Sequence, residues 1–173
     1  MLFRSSPCRD LLLKAFPKID ADGSGTLSID EIEKALANPE VKGPTAAAIS
    51  ALRRAVRSKT KPMPAPVTKG AIEKPDPDNA GSKMEGNHKL ALRRIQETPR
   101  DLFTGKPPLL SDIHQGRVGD CFCLAPLGGW IHRDSDSVRA LFRQKANKVE
   151  VHACGRWIPV EPLTDGEIAM LAT

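Results

Sequence analysis

Two stretches of this chain combine residue types and spacings that can do chemistry. The first is Gln115-Gly116-Arg117-Val118-Gly119-Asp120-Cys121-Phe122. A glycine-rich turn entering an apolar segment presents a thiol at a helix N-terminus, where unpaired backbone N–H groups and the helix dipole favour thiolate over thiol. The side-chain amide of Gln115 and the backbone N–H of Cys121 can then converge on one point, as an oxyanion hole requires. The chemistry implied is attack of Cys121 on a carbonyl carbon, with Gln115 as hydrogen-bond donor. The second stretch is Asp20-Ala21-Asp22-Gly23-Ser24-Gly25-Thr26-Leu27-Ser28-Ile29-Asp30-Glu31, whose oxygens suit a hard cation.

In that second stretch Asp20, Asp22 and Ser24 offer side-chain oxygens at positions 1, 3 and 5. Gly25 permits the sharp turn at 6, and Thr26 offers its backbone carbonyl at 7. Ser28 acts through a water at 9, and Glu31 closes the shell with two oxygens at 12. This is the pattern of the EF-hand Ca2+ loop, and it delivers about seven oxygens. Only three ligands carry charge, because position 5 is Ser24, so the expected affinity is weak, about ten micromolar or weaker. The flanks agree: Leu11, Leu12, Ala15, Phe16 and Ile19 form one apolar helical face, and Ile29, Ile32, Ala35 and Leu36 another. Ser28 with Glu31 reads as a capping box at the start of the second helix. Pro17 removes a backbone donor from the first helix and kinks its last turn. Such loops pair through position 8, here Leu27. The one stretch with comparable spacing, Asp76 to Asn87, fails at Ala80, Lys83 and Asn87 (positions 5, 8 and 12) and reads as linker.

The segment Asp112 to Ala125 carries the pattern Q-G-x-V-G-D-C-aromatic-x-L-A. It closely resembles the catalytic-cysteine segment of the calpain family of papain-like cysteine proteases. The resemblance implies that Cys121 is the nucleophile and Gln115 the oxyanion donor. It also implies that Asp112, three residues before the glutamine, helps bind calcium in the protease core. A weaker likeness runs from about Arg100 to the end, through Leu102-Phe103 and the stretch from Trp157 to Glu167. A protein or peptide substrate, and calcium that regulates assembly of the site, are implied with it. Two residues depart from the family: Phe122 stands where tryptophan is usual, and Pro126 deletes the helical bond to the Phe122 carbonyl.

A papain-like site also needs a histidine to take the thiol proton and an asparagine to orient it. In such families both lie more than a hundred residues beyond the cysteine, whereas this sequence ends at Thr173. His132 is eleven residues on, about 16 Å along a helix axis and beyond hydrogen-bond reach. His114 sits beside Gln115 without an oriented partner, His152 falls in a strand, and Asn147 reads as a turn residue. The likeness therefore covers the first half of a calpain catalytic domain. A second chain or a missing C-terminal half would have to carry the His and Asn.

The elements that position these residues make an α+β chain: a small helical EF-hand module, then the N-terminal, mainly helical half of a papain-like, calpain-like cysteine protease fold. Residues 1–57 form the module. In it a helix from Pro44 to Arg57 covers apolar surface with Ile49, Leu52, Ala55 and Val56, leaving Arg53, Arg54 and Arg57 to water. Residues 58–86, rich in proline and lysine, cannot bury enough apolar surface to offset their ordering entropy and read as a flexible linker. Residues 87–173 hold the partial protease domain. Its expected elements are a short helix capped by Asn87 and carrying Leu90 and Ile95, a helix from the cysteine towards Ile131, and another over Ser137 to Lys145. A strand pair follows, built on Val149, Val151, Trp157, Ile158 and Val160 and turning near Gly155.

Composition narrows the function classes. Aromatics are 4% with no tyrosine, which is thin for a well-packed core. Four cysteines without a paired framework point to a reducing, cytoplasmic setting. Cys121, Cys123 and Cys154 with His132 or His152 match no common zinc spacing. Leu11-Leu12-Leu13 is too short for a signal peptide and no segment is long enough to span a membrane. The net charge of +5 is scattered without interleaved aromatics, which argues against nucleic acid as a partner. Two classes remain. One is a calcium-dependent cysteine endopeptidase, present as a half-domain inactive alone; the other is a non-catalytic, calcium-responsive binding protein with a degenerate protease half.

Overall fold

The computed structural model describes residues 6–100, 106–113, 121–145 and 148–171. The chain mixes helix with two small antiparallel sheets. Its first helix, α1 (Pro7–Ile19), starts on a proline, whose fixed φ suits the first helical position and whose missing N–H would have no partner there. Cys8, Leu12, Ala15, Phe16 and Ile19 recur at helical spacing and are buried. Pro17 lies inside α1, yet the helix continues to Ile19, and the Asp20 N–H closes on the Phe16 carbonyl at 2.9 Å. The loop then forms a two-residue strand, β1 (Thr26–Leu27), and enters α2 (Ile29–Ala37).

A second helix–loop–helix follows: α3 (Gly43–Val56), the strand β2 (Val67–Thr68) and the short α4 (Lys69–Glu73). Strands β1 and β2 pair antiparallel, with Leu27 opposite Val67 and Thr26 opposite Thr68. Both Leu27 and Val67 are fully buried, as are Ile72 and, nearly so, Met63. The expected flexible linker of 58–86 is thereby corrected. Four of its apolar side chains, Met63, Val67, Ile72 and Met84, enter the main core, and Thr68 caps α4 by accepting the Ala71 N–H at 3.2 Å. Its prolines (Pro62, Pro64 and Pro66) remain at the surface.

Helix α5 (Met84–Glu97) is entered through a 3-10 turn at Ala80–Lys83. It is fourteen residues long and Asn87 lies within it, so the short helix capped by Asn87 is also corrected. Helix α3 is the hub. Ala46, Ala47, Ala48, Ala51 and Ala55 are buried around most of its circumference, and their small side chains let neighbouring helices approach closely. Its arginines are only partly given to water, since Arg53 and Arg57 both pair with Glu33, at 3.0 and 2.9 Å.

The remaining elements are α6 (Cys121–Arg133), α7 (Ser135–Ala140), the strands β3 (Phe142–Lys145), β4 (Lys148–Ala153) and β5 (Arg156–Val160), and α8 (Asp165–Met170). The helix expected over Ser137 to Lys145 is a correction: α7 stops at Ala140, and Phe142 to Lys145 pairs with β4 as an edge strand. The β4–β5 hairpin is as read. Its two-residue turn places Cys154 and Gly155 at positive φ, 52° and 74°, the combination whose twist matches flanking strands.

The described residues divide into two units. One comprises Met1–Thr98 together with Leu163–Met170; the other comprises Pro99–Pro162 with Leu171–Thr173. The expected boundary at residue 87 therefore shifts, because α5 and α8 both belong with the first unit. Helix α8 docks there through Ile168 and Ala169, against Ala46, Ala47, Ala91 and Ile95. The Thr164 hydroxyl donates to the Leu36 carbonyl at 2.8 Å, and the Gly43 N–H donates to Asp165 Oδ2 at 2.6 Å. A Cβ built on Gly166 would lie 2.3 Å from the Leu36 oxygen, so only glycine allows this approach. In the second unit Gly128, Ile131 and Val138 are the buried positions among the described residues. Among the described residues no helix is long and apolar enough to cross a membrane.

Candidate functional site

The loop between α1 and α2 is organised by its own backbone. The Ser24 N–H donates to Asp20 Oδ1 at 3.0 Å and to Asp22 Oδ1 at 2.9 Å, and the Gly25 N–H donates to Asp20 Oδ2 at 3.0 Å. Short acidic side chains bonding amides a few residues ahead fold the chain back on itself. The turn is completed by Gly25 at φ +77°, a left-handed conformation that L side chains rarely adopt. At the far end Glu31 reaches back across the loop. Its Oε1 accepts the Ala21 N–H at 2.9 Å, and its Oε2 accepts the Ser28 N–H at 2.9 Å and the Ser28 hydroxyl at 2.8 Å. Ser28 Oγ in turn accepts the Glu31 N–H at 3.2 Å, completing the capping box read from the sequence.

These bonds bring carboxylate oxygens of Asp20, Asp22 and Glu31 within 4.8 Å of one another. Among the described residues no lysine, arginine or histidine pairs with any of the three. Glu31 is 9% exposed, so its charge sits largely away from solvent. Backbone N–H bonds from Ser28, followed by the Ser28 hydroxyl, hold its carboxyl below the ordinary value. The Ser24 N–H and then its hydroxyl do the same for Asp22. Asp22 and Glu31 are therefore anions at neutral pH. Like charges this close disfavour each other, and a bound cation would offset that repulsion. Ser24 Oγ lies 3.1 Å from both the Thr26 carbonyl and the Thr26 hydroxyl, so the oxygens at positions 5 and 7 stand together. The donor set is all oxygen and half carboxylate, which fits Ca2+.

The loop facing it has no such donors. Counting back seven places from Val67, the partner of Leu27, makes Thr60 position 1 and Ala71 position 12. The residues at the ligand positions, Thr60, Pro62, Pro64, Pro66, Thr68 and Ala71, include no carboxylate. The stretch from Asp76 to Asn87 pairs with no loop strand; Asp76 instead accepts the Asp78 N–H at 2.9 Å on the approach to α5.

Cys121 is the first residue of α6 and is exposed. Gln115, with the whole stretch His114 to Asp120, lies outside the described residues, as does Asn147. The thiol–amide geometry is therefore not among the described features. Pro126 lies within α6, which continues to Arg133, and the neighbouring Phe122 is 75% exposed. His132 is at the opposite end of the same helix, and the exposed His152 packs its ring against Trp157 at 5.1 Å. Asp112 ends a 3-10 turn and accepts the Leu109 N–H at 2.9 Å. It joins no group of three possible metal ligands among the described residues. A cavity of about 480 Å³ is lined by Gly129, Trp130, Arg133, Asp134 and Ser137, without Cys121.

A third group was not anticipated from the sequence. Cys8 on α1 meets Glu85 and His88 on α5. The Glu-x-x-His spacing is visible in the sequence, but its cysteine partner is 77 residues from Glu85. No family model, no curated protein and no solved structure matches this chain.

Proposed function

We propose that this chain is a calcium-binding protein built on a paired EF-hand lobe. The loop Asp20–Glu31 takes one Ca2+ ion, and the loop Thr60–Ala71 is a partner without ligands. The observation that carries this reading is the convergence of three carboxyl groups, Asp20, Asp22 and Glu31, without a basic partner among the described residues. Asp20, Asp22 and Ser24 would hold the ion through side chains, Thr26 through its carbonyl, Ser28 through a water and Glu31 through both oxygens. Bound there, Ca2+ neutralises the loop and links the end of α1 to the start of α2. The β1–β2 pairing supports a lobe in which the second loop braces the first.

The second unit keeps an exposed thiol at the segment that resembles calpains. Peptide hydrolysis by Cys121 is proposed only where a further segment or a second chain supplies the histidine and asparagine. The chain alone acts as a calcium-responsive binding protein, and its four free cysteines suit a reducing, cytoplasmic setting.

Calorimetric titration of the full chain tests the calcium reading. One equivalent of Ca2+ is expected, with Glu31→Gln weakening binding by at least ~10-fold through loss of a charged bidentate ligand. Two equivalents, or identical heats for the two proteins, would contradict it. Incubation with an unstructured protein substrate, with and without Ca2+ and alongside Cys121→Ala, tests the second claim. Cysteine-dependent cleavage by this chain alone would defeat it.

A further inference from the structure

Cys8, Glu85 and His88 combine a thiol, a carboxylate and an imidazole whose ligand atoms all lie within 4.8 Å of one another. Cys8 is the second residue of α1, while Glu85 and His88, three apart at the start of α5, share one helical face. Cys8 has no exposed surface and His88 is 4% exposed. The Glu85 carboxylate accepts the Ser6 hydroxyl, and also the Cys8 N–H at 3.3 Å. His88 Nε2 lies 3.2 Å from the Pro44 carbonyl. A carbonyl only accepts, so Nε2 carries the proton and donates it. Nδ1 is then a bare lone pair, and among the described residues it is the one buried side-chain nitrogen or oxygen with no hydrogen-bond partner.

Leaving such a group unsatisfied is costly, and each neighbour bears on what would satisfy it. A metal-ligating imidazole characteristically donates its other N–H to a carbonyl or carboxylate, as His88 does to Pro44. Sulfur and imidazole nitrogen exclude Ca2+ and Mg2+, which want oxygen, and select Zn2+ among common divalent ions. Charge agrees as well. One thiolate, one carboxylate and a divalent cation sum to a neutral centre, the form least costly to bury.

We propose that Cys8 Sγ, a Glu85 carboxylate oxygen and His88 Nδ1 bind one Zn2+ ion that staples α1 to α5, with a water in the fourth position. Tetrahedral bonds of 2.0–2.3 Å set ligand atoms about 3.3–3.8 Å apart, somewhat closer than the 4.8 Å that bounds this group, so the side chains close in on the ion as it binds. The Sγ–H bond breaks as the Zn–S bond forms, and the proton leaves to solvent. Without the ion the thiol stays protonated, because burial, and after it the charge of Glu85, push it up to about 12. This site is independent of the calcium loop, which contains no sulfur.

The test uses the full chain carrying Cys121→Ser, Cys123→Ser and Cys154→Ser, all at exposed positions, so that Cys8 is the only thiol. The metal-free variant is titrated with Co2+. A thiolate-to-cobalt charge-transfer band and intense tetrahedral d–d bands should saturate at one equivalent and vanish on adding stoichiometric Zn2+. His88→Gln in the same background should weaken Co2+ binding at least ~100-fold, beyond the 10–100-fold typical of an outer-shell change; Glu85→Gln replaces it should that variant not fold. A triple variant folded by circular dichroism without the charge-transfer band overturns the proposal, as does undiminished affinity in the ligand variant. The first of these outcomes needs no substitution within the site.

Discussion

Glu31 holds two positions at once: it completes the cap of α2 through the Ser28 N–H, and it is the last oxygen donor of the loop. The twelve-residue pattern assigns a residue type to each oxygen position of that loop, so its residues can be recognised one at a time from the sequence. Other residues of equal consequence carry no such mark. Gly166 is one glycine among thirteen, and its role follows only from the contact with Leu36. Alanine at 166 should gain ~1 kcal/mol of helix propensity, but its methyl would meet the Leu36 backbone at 2.3 Å, where no rotamer change relieves the clash. Overpacking of this kind costs about 1–3 kcal/mol. Gly166→Ala should therefore lower the unfolding free energy, read as an earlier urea midpoint with an unchanged slope; equal or higher stability would mean that α8 does not dock as described.

At the level of elements, local patterns proved legible where they agreed with packing. The capping box of α2 and the Cys154–Gly155 hairpin turn are both local and both present. Strand β3 is a counter-example. Val138, Leu141 and Phe142 recur at helical spacing, but pairing with β4, including Arg143 opposite Glu150 at 2.6 Å, takes the second half of that run into the sheet. Strand β2 was hidden for another reason: a loop without carboxylates, flanked by prolines and lysines, has the composition of a linker. Only its buried Met63 and Val67 reveal a structural role. The cap also makes a pH prediction. The Glu31 carboxyl is held below its ordinary 4.5 by the Ser28 N–H, so its stabilising effect is full above about pH 4.5 and is lost as pH falls through the lower folded-state value. In calcium-free buffer the urea midpoint of the wild type should fall between about pH 5 and pH 3, and that of Glu31→Gln should fall less over the same range. Parallel curves would remove Glu31 from the acid response.

For the whole molecule, the two units differ in how much they bury. Helix α3 is covered around most of its circumference, whereas α6 buries Gly128 and Ile131 and exposes Phe122 and Trp130. Opening free energies follow buried apolar contacts. Amides of Ala47 to Leu52 should thus exchange with solvent at least ~100-fold more slowly than those of Leu127 to Trp130, read by hydrogen-exchange mass spectrometry. Comparable rates would imply that the thin second unit is stabilised by something beyond its own interior. This contrast was legible only in outline: the scarcity of aromatics signalled a weak interior, but not that it would fall on one side of residue 98.

The return of α8 has a topological consequence. Because Leu163–Met170 rejoins the lobe that ends at Thr98, everything from Pro99 to Pro162 is an insertion anchored at two points on a single scaffold. Closing such an excursion costs entropy that grows only logarithmically, about 0.6 kcal/mol for each doubling of its length. The helical lobe is therefore nearly indifferent to how long its insert is, and the same host can carry inserts of very different size between fixed seams.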